Sequence, residues 1–127
     1  MKVKQIGVGT DIESIIRFND LHPARNIELL DKIYTQEEQA YCFSRHNPAQ
    51  HLAARFVGKE AVLKALSNIG VCETDYTRIC ITNDKNGTPR VAIQGEKMNV
   101  KVSLSLSHCE DKAVAFALAM ELYDEQD

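Results

Sequence analysis

The apolar residues of this chain change their spacing partway along, and this change limits the folds open to it. After Asn47-Pro48, a helix-start signal, apolar residues recur at helical spacing at Leu52, Phe56, Leu63 and Leu66. This predicts one long helix that ends near Gly70. Over 100–108 apolar and polar residues alternate instead, which is typical of a strand. Helices early and strands late favour an α+β fold, with a mainly antiparallel sheet packed against a long central helix.

Shorter elements are predicted on either side of the long helix. Residues 2–8 form an apolar-rich run typical of a strand, and Thr10 opens a capping box that predicts a helix over 12–19. The Asn86-Gly87 pair predicts a hairpin. Further elements are expected as a short helix or turn at 27–33, a helix capped by Thr35 and ending near Ser44, strands at 78–82 and 90–93, and a final strand at 113–122. We expect all 127 residues to form one domain.

Composition argues against several classes of protein. The 15 basic and 18 acidic residues give a net charge of −3, which argues against nucleic acid as the main partner. No apolar run approaches the ~18–20 residues of a membrane-spanning helix, and the first residues hold no signal-peptide core. We therefore expect a cytoplasmic protein without membrane contact. The 4 cysteines include no Cys-x-x-Cys pair, which argues against a zinc site and predicts reduced thiols.

The stretch from Arg45 to Lys64 is locally positive around a single carboxylate. It holds four basic residues, two histidines and one acid, Glu60. Such a stretch suits a small polyanion or an acidic protein as partner. A solvated helix face has the same pattern, and charge alone does not separate these two interpretations.

Asp11 follows a Gly-x-Gly turn at the predicted end of the first strand, and it is either a helix cap or a functional ligand. No Gly-x-Gly-x-x-Gly follows, so a dinucleotide-binding fold is not supported. On the long helix, Glu60 and Lys64 have the spacing of a surface ion pair. In the functional alternative, Asp11 and Glu60 both supply carboxylate oxygens to Mg²⁺, and nearby cations hold phosphate oxygens.

Ser107 and His108 stand together at the end of the predicted 100–108 strand. Neighbours on a strand point to opposite faces, so His108 is poorly placed to act as the base of Ser107. The sequence contains no Gly-x-Ser-x-Gly elbow, so a serine hydrolase is not favoured. A histidine that donates to a phosphate or ribose and a purely structural histidine are both left open.

Three segments, in this order and at these separations, resemble the holo-acyl-carrier-protein synthase type of 4'-phosphopantetheinyl transferase. They are Gly7-Val8-Gly9-Thr10-Asp11-Ile12 with Ile15 and Arg17, Ala54-Arg55-Phe56-Val57-Gly58-Lys59-Glu60-Ala61 with Lys64-Ala65, and Val102-Ser103-Leu104-Ser105-Leu106-Ser107-His108. The resemblance covers about residues 6–119. One departure is Val57-Gly58, where the family usually has two alanines, and this glycine marks either close packing or drift.

The resemblance implies a Mg²⁺-dependent enzyme. The family transfers 4'-phosphopantetheine from coenzyme A to a serine of an apo acyl carrier protein and releases 3',5'-ADP. By position, Asp11 and Glu60 match its Mg²⁺ ligands, and together with Lys64 they match its catalytic group. Either Glu60 or a metal-bound water would take the serine proton. A catalytically inactive scaffold of the same fold that binds carrier proteins is the alternative function.

The resemblance also implies binding partners and the residues that contact them. The positions that match contacts to coenzyme A are Arg55, Lys59, Lys64, Gly87, Pro89, Ser107 and His108. Arg17, with Arg25 nearby, forms a basic face that would attract the acidic helix of a carrier, and this would mainly raise the association rate. Members of this short type commonly form homotrimers with sites between subunits. The resemblance places the protein in fatty acid biosynthesis, a part of lipid metabolism, although carriers of other pathways share an acidic recognition surface.

Overall fold

The computed structural model describes residues 2–95 and 99–124. Its α-helices are α1 Ile27–Ile33, α2 Gln36–Phe43 and α3 Pro48–Asn68. Its strands are β1 Val3–Ser14, β2 Ile79–Asn83, β3 Pro89–Ile93, β4 Val100–His108 and β5 Lys112–Leu122. Short 3-10 turns lie at Ile15–Phe18 and Tyr76–Arg78. The predicted α+β class is confirmed.

The strands of the described residues form two antiparallel sheets. β5 lies in the middle of a three-stranded sheet, between β1 and β4. β2 and β3 form a separate two-stranded sheet, and the turn between them passes through Gly87 at a φ of +83°. The hairpin predicted from Asn86-Gly87 is therefore confirmed, because this left-handed backbone conformation is one that glycine adopts without a steric penalty.

Small residues let α3 lie close against the three-stranded sheet. Along β5, alternate positions are fully buried alanines that face the helix at Ala113, Ala115, Ala117 and Ala119. The helix presents Ala61 and Ala65, also fully buried, to the sheet, and Gly7 and Gly9 of β1 meet its backbone. Burial of this apolar surface is the main force that joins helix and sheet.

Gly58 marks the close approach of α3 to the hairpin. A Cβ at this position would lie 2.7 Å from Cδ1 of Ile81 on β2 and 3.3 Å from Cδ2 of Leu104 on β4. The glycine at this position therefore lies at a closely packed point between α3 and the strands.

The helix starts follow local sequence signals to different extents. The Thr35 side chain accepts from the backbone N–H of Glu38, and the Glu38 side chain accepts from that of Thr35, so the predicted capping box is confirmed. α3 begins at Pro48 as predicted, but the side chain of Asn47 makes no capping hydrogen bond. Proline at the first helical position lacks an N–H, so it leaves one fewer donor to satisfy there.

The face of the three-stranded sheet turned away from α3, here called the outer face, is apolar and open to solvent. Its β1 and β5 side chains are between 39% and 58% exposed at Ile6, Val8, Ile12, Val114 and Phe116. These residues sit side by side, because Ile12 pairs with Val114, and Ile6 and Val8 pair with Met120 and Leu118. Within residues 2–95 and 99–124, no helix is both long and apolar enough to cross a membrane.

Candidate functional site

Asp11 lies near the end of β1 and not beside a helix start. The prediction of a helix over 12–19 opened by Thr10 is wrong, because β1 continues through Ser14 and pairs with β5 residue by residue from Gln5 onward. Only the 3-10 turn Ile15–Phe18 remains of that helix. Strand pairing with a distant segment outweighs the local capping pattern. The correction removes the helix-cap role for Asp11.

The contacts between β1 and α3 set the level of Asp11 on the helix. A Cβ at Gly7 would lie 2.3 Å from the carbonyl oxygen of Ala65, and one at Gly9 would lie 2.1 Å from that of Ala61. A step of two residues along β1, about 6.6 Å, therefore corresponds to a step of four residues along α3, about 6 Å. Asp11 is the next residue on this face of β1, so it lies level with the turn of α3 that ends in Glu60.

Lys64 connects the two elements directly. Its Nζ lies 3.2 Å from Oδ1 of Asp11 and 2.9 Å from the carbonyl oxygen of Thr10. Lys64 therefore pairs across to β1, and the ion pair expected with Glu60 along the helix gives way to this contact. The Lys64 side chain is 53% exposed, so water screens the pair and its contribution to stability is small. An exposed ammonium at this place is better suited to bind an anion from solvent.

Tyr76, in the turn before β2, donates a hydrogen bond from its hydroxyl to Oε1 of Glu60. This bond, followed by burial and the charges of Glu60 and Asp11, raises the pKa of Tyr76 to about 12. The phenol therefore stays protonated and continues to donate near neutral pH. The effect of both carboxylates on one hydroxyl also agrees with their placement at one level of α3. Sequence reasoning missed Tyr76, because a single aromatic in a loop has no periodic pattern.

The donor set fits a magnesium ion better than a closed metal cage. Across the described ranges, no three His, Cys, Asp or Glu side chains come together as metal ligands. Asp11 and Glu60 are both partly exposed, and they offer two carboxylates. Mg²⁺ typically takes one or two carboxylates in proteins and completes its octahedral shell with phosphate oxygens and water.

Lys59 does not reach the surface, contrary to the expectation that it contacts coenzyme A. Its side chain is 0% exposed and its Nζ lies 2.6 Å from Oε1 of Glu38. The other two donors go to the carbonyl oxygens of Tyr76, at 2.8 Å, and Ile79, at 2.7 Å. All three N–H groups are thus used inside the protein. Burial lowers the pKa of Lys59, while the Glu38 carboxylate opposes that shift.

Arg55 is buried on α3 and is held by the hairpin. Its guanidinium donates to Oδ1 of Asn83 and stacks over the ring of Tyr41 at 4.3 Å. The Asn83 amide in turn donates to the carbonyl oxygen of Gly87 at 3.0 Å. The structure therefore links Arg55 to the turn that leads into Pro89, so that three of the predicted coenzyme A contacts, Arg55, Gly87 and Pro89, lie in one region.

A small cavity of about 140 Å³ lies beside this guanidinium. Its lining residues are Glu37, Glu38, Tyr41, Arg55, Ile81, Thr82 and Asn83. Within the described part of the chain, the buried Nε of Arg55 finds no hydrogen-bond partner. A buried donor of this kind is costly to leave unsatisfied, so the site favours a polar ligand atom or water at this point.

Arg45 and His51 also pack against the ring of Tyr41. Arg45 stacks over the same ring at 4.3 Å, and the ring of His51 meets it edge-on with centroids 5.6 Å apart. Burial lowers the pKa of His51, and the charges of Arg55, Arg45 and His108 lower it further. The guanidiniums of Arg55 and Arg45, both stacked on Tyr41, form a positively charged patch suited to an anion.

Ser107 and His108 point to opposite faces of the sheet, as predicted. His108 pairs with the buried Ala113, and its Nε2 lies 2.9 Å from Nε2 of Gln50 on α3. Ser107 pairs with Val114 on the outer face. The structure therefore brings His108 to the cationic patch and places Ser107 on the side of the sheet away from it.

The two arginines expected to bind a carrier protein lie on the surface. The Arg17 guanidinium donates to both carboxylate oxygens of Glu13. Arg25 borders a shallow groove of about 460 Å³ that runs along α1 to Lys32. The exposed apolar side chains Ile27 and Leu29 also line this groove. The groove combines this apolar contact area with two basic side chains, Arg25 and Lys32, and one acidic side chain, Glu28.

Comparison with known proteins shows the family of this chain. The chain matches the 4'-phosphopantetheinyl transferase superfamily over residues 7–118. It is 38% identical over 125 residues to the holo-[acyl-carrier-protein] synthase of Moorella thermoacetica, covering 93% of this chain and 96% of the relative. It is 40% identical over 114 residues to that of Thermodesulfovibrio yellowstonii, covering 88% and 96%. The chain therefore belongs to the 4'-phosphopantetheinyl transferase superfamily.

The fold agrees with that of a solved structure described as an ACPS-CoA complex from Chronobacterium ammoniagenes. The TM-score is 0.78 at 24% sequence identity, and the match covers 94% of this chain and 100% of the solved one. At this identity the likeness concerns the fold, and it extends over nearly the whole of both chains.

Proposed function

We propose that this member of the superfamily transfers 4'-phosphopantetheine from coenzyme A to a serine of an apo acyl carrier protein. The products are the holo carrier and 3',5'-ADP. One observation carries the proposal: Lys64 contacts Asp11 where β1 crosses α3, level with the helix turn that ends in Glu60, in a chain that matches the superfamily over residues 7–118. The two relatives bear the name holo-[acyl-carrier-protein] synthase, and the solved structure of the same fold contains coenzyme A.

The reaction breaks the phosphoanhydride bond of coenzyme A and forms a phosphodiester bond to the carrier serine, whose hydroxyl gives up its proton. The serine oxygen of the carrier bonds to the pantetheine-side phosphorus of the coenzyme A diphosphate, and the bond from that phosphorus to the oxygen of 3',5'-ADP breaks. Charge on the diphosphate and on the leaving group is the main obstacle, so positioning and cations should dominate catalysis. Lys64 has a third N–H donor beyond those used by Thr10 and Asp11, and it would bind the leaving phosphate.

Asp11 and Glu60 would hold Mg²⁺ at this place. When bound, the ion supplies Lewis-acid polarisation of phosphate oxygens. The chain orients both carboxylates in advance, since Lys64 pairs with Asp11 and Tyr76 donates a hydrogen bond to Glu60. Such preorganised carboxylates lose little conformational freedom when they bind a cation.

The cationic patch around Tyr41 would bind the phosphate groups of the adenosine end of coenzyme A. Arg55 and His108 occupy positions that match coenzyme A contacts, and five helix residues, about 7.5 Å, separate Arg55 from Glu60 along α3. The Gly87–Pro89 turn would lie near the adenine. An extended nucleotide could thus reach from the patch to the carboxylate pair.

A homotrimer would cover the outer face. Exposed apolar side chains such as Ile6, Ile12 and Phe116 form a continuous patch there, and patches of this kind mark interaction surfaces. Family resemblance favours three copies with sites between subunits. Ser107 lies on this same face, so it would contact coenzyme A only through a neighbouring subunit.

The free thiols of all four cysteines support a cytoplasmic location.

The carrier would dock on the groove beside α1. Arg17 and Arg25 would attract an acidic helix, and Ile27 and Leu29 would supply apolar contact. Such charges mainly increase the rate of association, so their effect should weaken as salt is added.

Intact-protein mass spectrometry tests the proposed activity. Several apo carrier proteins, those of fatty acid synthesis first, are incubated with the enzyme, coenzyme A and Mg²⁺. We expect a mass gain of one phosphopantetheine group, with its loss on chelation of the metal. Asp11→Asn and Glu60→Gln should each lower kcat/KM by at least about a hundredfold, because each removes an anionic ligand.

Asp124→Asn is the matched control, because it removes a carboxylate that is exposed near the end of the described chain. It should retain wild-type turnover. Binding of carriers without modification of any of them would favour the inactive scaffold and contradict the transferase. Wild-type activity in a folded Asp11→Asn or Glu60→Gln variant would contradict the ligand role.

A further inference from the structure

The hydroxyl of Tyr76 contacts one of the two Glu60 carboxylate oxygens. It donates to Oε1 of Glu60, and this bond leaves Oε2 for another partner. A carboxylate whose first oxygen is held has fewer rotamers open to it, and its second oxygen then has a defined direction. The hydroxyl is also uncharged, so it orients the carboxylate without neutralising it as a lysine would.

The ring of Tyr76 is held by the helix that carries Glu60. Its centroid lies 5.7 Å from that of Phe56, which stands one turn before Glu60 on α3. Phe56 in turn packs on Phe18, also with centroids 5.7 Å apart. The Tyr76 ring packs on α3, and α3 also carries Glu60. The helix therefore sets the distance between the Tyr76 hydroxyl and the Glu60 carboxylate.

The backbone of Tyr76 is fixed from inside the protein. Its carbonyl oxygen accepts from Nζ of the buried Lys59 at 2.8 Å, and Lys59 is itself paired with Glu38. On the solvent side, Oδ1 of Asp75 accepts from the backbone N–H of Thr77 at 2.9 Å and from its hydroxyl at 2.7 Å. Hydrogen bonds thus hold the turn on both sides of Tyr76, and they restrict the position of its backbone.

We infer that Tyr76 is a positioning residue for the transfer reaction, whose hydroxyl orients Glu60 for the divalent cation. The inference rests on the proposed function, since it concerns the cation that this transfer uses. A phenylalanine at position 76 would preserve the packing on Phe56 and would lack only the donor. The hydroxyl therefore has a role that can be separated from that of the ring.

Calorimetric titration of Mg²⁺ into the coenzyme A complex of the full chain tests the inference. Tyr76→Phe should weaken Mg²⁺ binding about tenfold, the usual scale for loss of a group that orients a metal ligand. In the transfer assay, the Mg²⁺ concentration for half-maximal rate should rise by a similar factor, while kcat at saturating Mg²⁺ changes less. Tyr123→Phe, at an exposed tyrosine, should match the wild type in both measurements.

A double-mutant cycle shows whether Tyr76 acts through Glu60. In a Glu60→Gln background, Tyr76→Phe should cause no further loss of Mg²⁺ affinity. Wild-type Mg²⁺ affinity in Tyr76→Phe would overturn the inference, and so would an equal loss in both backgrounds. A lower melting temperature with unchanged Mg²⁺ affinity would overturn it as well, since that result describes a purely structural residue.

The inference and the proposed function can fail separately. If the wild type modifies no carrier but loses Mg²⁺ affinity on Tyr76→Phe, the transferase assignment fails and the orienting role of Tyr76 stands. If the wild type modifies a carrier and Tyr76→Phe has the same Mg²⁺ dependence, the transferase assignment stands and the role of Tyr76 fails.

Discussion

Two lysines five positions apart on one helix have opposite environments. Lys59 is fully buried and spends its three donors on Glu38 and two carbonyl oxygens, whereas Lys64 is half exposed beside Asp11. The buried ammonium joins α2, α3 and the segment before β2, so its role is structural. The exposed ammonium can contact a ligand.

Substitution of these lysines should separate stability from activity. Lys59→Met should lower the free energy of unfolding by about 3 kcal/mol, because it leaves the Glu38 carboxylate buried without its counter-ion. Lys64→Met should cost less than about 1 kcal/mol, since water screens its exposed pair, but it should lose transferase activity. Urea denaturation at fixed protein concentration measures the first effect. Equal stability losses in the two variants would contradict the assigned roles.

Sequence alone could not distinguish these two lysines. Both lie in the segment that resembles the family, and the helical pattern around them does not show which face meets the hairpin. The ion-pair partner of the buried Lys59 is Glu38, which lies 21 positions earlier in the chain. In the same way, Tyr76 acquires a role only because the chain folds back to place its hydroxyl at Glu60.

At the scale of elements, β1 depends on glycine where it crosses α3. A Cβ at Gly9 would lie 2.1 Å from the carbonyl oxygen of Ala61 and 2.7 Å from the backbone N of Ala65. Backbone atoms of a long helix cannot move aside as a flexible side chain can. The helix and the strand must therefore separate if this position gains a side chain.

Gly9→Ala should destabilise the fold by about 2–3 kcal/mol through overpacking. Activity should fall in the remaining folded protein, because separation of β1 from α3 moves Asp11 away from Glu60 and Lys64. Thr10→Ala is the control, since it introduces the same residue one position along at an exposed site. Chemical denaturation and kcat/KM of the two variants provide the comparison, and a Gly9→Ala variant as stable as Thr10→Ala would contradict this packing.

Local sequence predicted those elements whose stability is local. Thr35 and Glu38 close a capping box within one turn, and Asn86-Gly87 meets the conformational demand of a tight hairpin, so both predictions were confirmed. The pattern that begins at Thr10 has the same form, yet its residues pair with residues of β5 that lie 100 or more positions later in the chain. A prediction from neighbouring residues cannot include that partner.

At the scale of the whole molecule, the outer face is a large apolar surface that the described residues leave exposed. Phe116 and Val114 of β5 lie beside Ile12 and Val8 of β1, all exposed. The α+β class could be predicted from the change of period, because the alternation of β4 and the stripe of α3 are strong. The exposed apolar area of the outer face could not be predicted in this way, since its extent depends on which strands become neighbours.

Phe116→Glu should prevent assembly through this face. Burial of a charge without a partner at an apolar interface is costly, so the mass measured by light scattering should fall from that of the proposed trimer to that of a monomer. Transfer activity should fall with it if sites lie between subunits. Lys85→Glu, an exposed change in the hairpin turn, should leave the mass unchanged. A Phe116→Glu variant with wild-type mass would contradict assembly through the outer face.

The alternation of β1 gives the two sides of one strand different duties. Asp11 projects toward the long helix, while the flanking Ile12 projects into solvent on the opposite side. A single inserted or deleted residue before position 11 would turn the side chains at positions 11 and 12 to the opposite faces of the sheet, since side chains alternate with a period of two. The Asp11 carboxylate would then lie among the apolar side chains of the outer face, and Ile12 would face the cation. We expect this segment to tolerate replacement of its residues far better than any change in its length.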